Sequence, residues 1–142
     1  TGFGSPRRMS TGFDYNRMSL LLAVLEKRAG FYFANLDTYI NVVGGLRLDE
    51  PAADLAVSMA LVSSLKDIVI PDDMLAFGEI GLAGEIRSVS HAEERVKEAA
   101  RLGFKKCIVP KHNLDSIKLS KDLNINVIGV STVREAFGAI CS

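Results

Sequence analysis

The chain has 142 residues, enough for one domain with one core. Its apolar fraction is 48% and its charged fraction 24%, and lysine plus arginine balance aspartate plus glutamate at 17 each. A zero net charge argues against a wholly basic nucleic-acid wrapper but leaves room for a local basic face, and no apolar run reaches the ~18–20 residues of a membrane-spanning helix.

In chain order, Thr1-Gly2-Phe3-Gly4-Ser5-Pro6 has a loop composition without a starting methionine and reads as the middle of a longer protein. Asp14 or Asn16 can cap a helix beginning near Arg17. Met18, Leu21, Leu22, Leu25 and Ala29 recur on one helical stripe, and Gly30 stops it. Phe31-Tyr32-Phe33 and Tyr39-Ile40-Asn41-Val42-Val43 predict two strands joined by a polar turn. From Ala52 to Leu65 the pattern is helical and apolar nearly all round, with Leu55, Met59, Val62 and Leu65 on one stripe and Ala53, Ala56 and Ala60 permitting close packing. Met74 to Val89 predicts a hairpin turning near Gly81-Leu82-Ala83-Gly84. His91 to Leu102 predicts an amphipathic helix with a Glu93/Lys97 pair. Strands at Ile108-Val109 and Val127-Ile128, a short helix over Leu114–Leu119 and a final helix over Thr132–Ile140 complete an α+β (mixed α/β-type) domain.

Chemistry-bearing patterns are few. There is no Walker A sequence and no Gly-x-Ser-x-Gly elbow. His91 and His112 stand alone, and Asp49-Glu50 and Asp72-Asp73 read as turn or cap residues. Cys107 lies in an apolar strand and Cys141 near the C-terminus, without zinc spacing or a disulfide framework. Together with the missing signal peptide, this points to the cytoplasm. Arg8, Arg17 and Arg47 have few carboxylates beside them, and Lys105, Lys106 and Lys111 form a second cluster. Any one of these suits a solvated surface; as a group on one face they could neutralise phosphates.

Asp49-Glu50-Pro51-Ala52-Ala53-Asp54-Leu55-Ala56, followed by Ala60-Leu61-Val62-Ser63, resembles the active-site helix of Lon-type serine–lysine proteases. Gly78-Glu79-Ile80-Gly81-Leu82-Ala83-Gly84-Glu85-Ile86 is similar to the segment that leads to their catalytic lysine. The resemblance implies a Lon protease proteolytic-domain-like fold (ribosomal protein S5 domain 2-like). It places Ala52 at the nucleophile and Glu93 at the lysine, so neither member of the dyad is present. A more specific resemblance starts at Ser5-Pro6-Arg7-Arg8 and runs through Gly12-Phe13-Asp14-Tyr15-Asn16-Arg17, Asn41-Val42-Val43-Gly44-Gly45-Leu46-Arg47 and Phe77 to Arg87. It is to the bacterial RadA (Sms) recombination family.

That resemblance implies a linker over 1–16 from an upstream ATPase domain and a non-catalytic Lon-like domain over 17–142. It implies that ATP, magnesium and zinc belong to other parts of the protein, with no cofactor here. It further implies a hexameric, ATP-driven DNA repair and branch-migration motor, with DNA, its own copies and a recombinase as partners. Arg8, Arg17 and Arg47 are then the expected phosphate contacts, with Lys105 and Lys106 behind them. Two other readings stay open: a serine peptidase with displaced residues (Ser58, Ser63 or Ser88 as nucleophile), and an oligomerisation module without DNA contact.

Overall fold

The computed structural model describes residues 8–11, 13–32, 38–41, 50–119 and 123–141; the side chains of 8–11, 38–41 and 141 lie outside the description. Strand β1 (Arg8–Thr11) pairs in parallel with β2 (Thr38–Asn41), Arg8 opposite Thr38. Parallel neighbours need a crossover connection, and helix α1 (Tyr15–Ala29) lies between them in the chain. The Asp14 carboxylate accepts the Arg17 amide at 2.8 Å and starts α1. Gly30, at φ 76°, ends it with its N–H on the Leu25 carbonyl.

The central sheet is parallel, in the order β3 (Met74–Ala76), β6 (Lys106–Pro110), β7 (Asn126–Val130). Between β3 and β6 come the hairpin β4 (Glu79–Ile80)/β5 (Ile86–Arg87) and helix α3 (Ala92–Arg101). A 3₁₀ turn over Lys111–Ser116 follows β6. Period-two alternation sends the strand residues to two cores. Met74, Ile108 and Val130 join α1, α2 (Asp54–Lys66) and α4 (Val133–Cys141) in the larger one. Phe77, Cys107 and Val109 meet Ala92 and Val96 of α3 in the smaller one. The result is a layered, mixed α/β arrangement, as expected from the late strand–helix alternation.

Several expectations are corrected. The region Met74–Val89 is not one hairpin: β3 leaves to pair with β6, and only Glu79–Arg87 folds back, turning at Gly81–Gly84 as anticipated. Phe31 and Tyr32 form no strand; Phe31 instead packs edge-on against Phe137, centroids 5.0 Å apart. The strand at 38–41 has β1 as its parallel partner. The short helix expected over 114–119 is a 3₁₀ turn that starts three residues earlier, directly after Pro110 at the end of β6. Ala56 and Ala60 are exposed, so the small-residue face of α2 is turned outward.

Cys107 is fully buried in β6, and burial pushes its thiol up to about 12. The folded state therefore holds the proton more tightly than the unfolded chain. That contribution is complete below the ordinary thiol value of 9.0 and is lost as pH rises from there toward 12. Between pH 7 and pH 10, Cys107 alone is expected to remove about 1.4 kcal/mol of stability. Urea titrations of the wild type and Cys107→Ala at both pH values check this: the extra alkaline loss should vanish in the variant.

Candidate functional site

A 3₁₀ turn over Pro51–Ala53 leads into α2, and it is tied to the end of β3. Gly78 donates to the Ala52 carbonyl at 2.8 Å, and Leu55 donates to the Gly78 carbonyl at 3.0 Å. Gly78 is required by this approach, because a Cβ there would lie 2.8 Å from the Ile86 Cγ2. Ala52 thereby faces a cleft. On one side is a hollow of about 190 Å³ bordered by Glu50, Glu79, Ser88 and Ser90. On the other is a groove of about 570 Å³ running toward Leu102 and Phe104. Glu50, Ala52 and Arg95 line both.

Of the two degenerate positions, Ala52 lines the cleft and Glu93 lines neither hollow. Glu93 pairs with Lys97 along α3 at 3.3 Å. The cation in the cleft is Arg95, which ion-pairs with Glu50, donates from Nε to the Ser90 carbonyl at 3.0 Å and lies 5.8 Å from the Phe77 ring centroid. The count along the sequence missed it because residues two apart project from different sides of a helix. A guanidinium keeps its protons at every working pH. At Ala52 the cleft thus presents a methyl group, and at Arg95 a guanidinium. Of the three alternative serines, Ser58 is buried without a hydrogen-bond partner and Ser63 bonds the Ile68 carbonyl; Ser88 alone borders the cleft.

Behind the cleft, Asp54 is fully buried at the start of α2. Its carboxylate accepts the Ile80 amide at 3.0 Å and the Arg17 Nε at 2.9 Å, and a second Arg17 nitrogen completes a bidentate fork. Arg17 also donates to the Ile80 carbonyl at 3.3 Å. The hydrogen bond to Asp54 raises the Arg17 guanidinium above its ordinary value. Arg17, expected as a phosphate contact, therefore has a carboxylate partner inside the fold.

Lys105 is exposed and Lys106 half-buried where β6 begins, with both amides on the Asp73 carbonyl. The Arg8 side chain and the whole of Arg47 lie outside the described residues. The structure adds a cationic group that the sequence did not single out. Exposed Lys27 and Arg28 close α1, and Arg134 opens α4 with its Nε on the Arg28 carbonyl at 3.1 Å. Gly84 (φ 81°) lets the hairpin turn approach: a Cβ there would be 2.9 Å from the Arg28 Cβ. Among the described residues none of the three has a carboxylate within ion-pair distance, while most neighbours in α3 are paired. Arg28 and Arg134 are 106 positions apart, so only the pattern of basic residues at a helix end hinted at the first of them. Among the described residues no group of three or more His, Cys, Asp or Glu could hold a metal ion, and no helix is long and apolar enough to cross a membrane.

Residues 16–113 match the family described as subunit ChlI of Mg-chelatase, and the chain belongs to that family. Among curated proteins it is similar to the DNA repair protein RadA of Bacillus subtilis (strain 168), 54% identical over 136 residues, 96% of this chain and 29% of that protein. The protein of the same name from Streptococcus pneumoniae (strain ATCC BAA-255 / R6) is 52% identical over 95% of this chain and 32% of its own length. That from Listeria monocytogenes is 49% identical over 96% of this chain. The chain thus spans about 30% of the length of these relatives.

Proposed function

We propose that this chain is a non-proteolytic, Lon-like scaffold domain of an ATP-dependent DNA repair motor of the RecA class. In that role it supports assembly of a hexameric ring and supplies part of a DNA-binding surface. The carrying observation is the identity of about half of the residues, over nearly the whole chain, with proteins named DNA repair protein RadA. ATP, magnesium and zinc are assigned to domains outside this chain. Arg17 is matched by Asp54, so the phosphate contacts are placed on Arg8, Arg47, Lys105 and Lys106 and on the newly found Lys27, Arg28 and Arg134. Loss of binding on their removal, argued below, is the test.

The cleft supports the non-proteolytic part of the reading. A dyad needs a hydroxyl and a neutral amine in reach of each other; the cleft has Ala52 and Arg95, and no lysine among the described residues borders it. Ser88 keeps the displaced-peptidase reading testable. The protein is incubated with unfolded casein and with a fluorophosphonate probe. No cleavage and no labelling are expected; labelling of wild type that disappears in Ser88→Ala would overturn the proposal.

A further inference from the structure

We infer that the groove between α2 and α3 docks a peptide segment of a partner protein in which an apolar side chain is flanked by lysine or arginine. This goes beyond the DNA-binding proposal: the groove ends at Phe104, beside Lys105, but its own rim is acidic. Leu75, Phe77 and Phe104 floor the groove, and Leu102, 62% exposed, stands at its end. Its volume of about 570 Å³ lies within the range of ligand-binding clefts. On α2 the wall is low because Ala53 and Ala56 carry only a methyl group each, so a chain can lie close to the helix.

The rim decides what that chain is. Glu50, Glu94 and Glu98 border the groove, with Arg95 as the one cation among the described lining residues. Arg95 is already paired with Glu50 and lies against the Phe77 ring, so its charge is largely offset within the cleft. Arg101 shares Glu98, and its hydrogen bond lowers the Glu98 carboxyl, keeping it ionised. Glu94 has only the distant His91 ring at 4.0 Å and is 71% exposed. With Glu79 in the adjoining hollow, the described residues that line the cleft include four carboxylates and one guanidinium, with Arg101 offsetting Glu98 from outside the lining. Such a field repels nucleic acid and anionic lipid and attracts a cationic segment, while the apolar floor demands a side chain that leaves water.

The test is selection of a displayed library of random short peptides on the immobilised protein, followed by anisotropy with the selected peptides. Enrichment of Leu, Phe or Met flanked by Lys or Arg is expected. The selected peptides should bind Glu94→Lys/Glu98→Lys about tenfold or more weakly and lose affinity as salt rises. Leu102→Asp, also at an exposed position, should weaken binding without altering the far-UV spectrum. No enrichment, enrichment of acidic peptides, or equal binding by the charge-reversed variant would overturn the inference. So would concentration-dependent dimerisation abolished by the same variant, because the occupant would then be a second copy. DNA binding is measured in parallel: its retention in Glu94→Lys/Glu98→Lys separates this surface from the proposed DNA contacts.

Discussion

Arg17→Ala is expected to destabilise the domain by about 3–5 kcal/mol, the loss typical when one member of a buried ion pair is removed. The Asp54 side chain is 1% exposed, so truncating Arg17 leaves a carboxylate in the interior with only the Ile80 amide to stabilise it. Against a total of about 5–15 kcal/mol for a domain, that is a large share. Chemical denaturation of wild type, Arg17→Ala and Asp54→Ala checks it. The double variant Arg17→Met/Asp54→Leu should be less destabilised than either single one, because no charge is then left unpaired. If Arg17→Ala instead leaves stability unchanged and weakens DNA binding, the guanidinium is a phosphate contact after all. Any DNA-binding experiment that includes Arg17 must therefore report folding alongside affinity.

The second large effect concerns Lys27, Arg28 and Arg134. Neutralising all three is expected to weaken DNA binding and to flatten its dependence on salt. Each lost phosphate contact removes roughly 0.9 from the slope of log K against log salt. If all three touch phosphate, the slope falls by about 2.7. Affinity near 50 mM salt then drops far more than at 200 mM. Fluorescence anisotropy of labelled duplex and single-stranded DNA across salt measures both. These side chains are exposed and without carboxylate partners among the described residues, so the stability cost should be confined to the Arg134 hydrogen bond to the Arg28 carbonyl, roughly 1 kcal/mol. An unchanged slope would remove this cluster from the binding surface and leave Arg8, Arg47, Lys105 and Lys106 to be tested as a second set.

What was readable in the sequence was what local physics controls. The Asp14 cap, the Met18–Leu25 stripe and the Gly30 stop gave α1 to within two residues of its start. The spacing of Ala92, Val96 and Ala99 gave α3, and the glycines at 81 and 84 gave the hairpin turn. What was not readable depends on separation along the chain. Strand pairing follows tertiary packing, so Met74–Ala76 looked like one arm of a hairpin when its partner is β6, some 32 positions on. Asp54 stands in an otherwise apolar helix. Nothing nearby announces that it is buried, because its counter-ion is 37 residues upstream. Arg95 is hidden for a different reason: the resemblance aligns the lysine position with Glu93, while the guanidinium lining the cleft comes from two residues further along, on another side of the same helix.

The clamp at Asp54 also fixes where this unit can be cut from its parent or spliced into another. Its three strands of support come from the entry of α1, the start of α2 and β4, so excision between Arg17 and α2 strands an anion inside whichever piece keeps Asp54. A chimera joined at Met18 loses both Phe13 from the larger core and the counter-charge of Asp54. The transferable module therefore begins upstream of Arg17, and β1 with its partner β2 travels with it. A cut chosen from hydrophobic periodicity alone would fall a few residues too late.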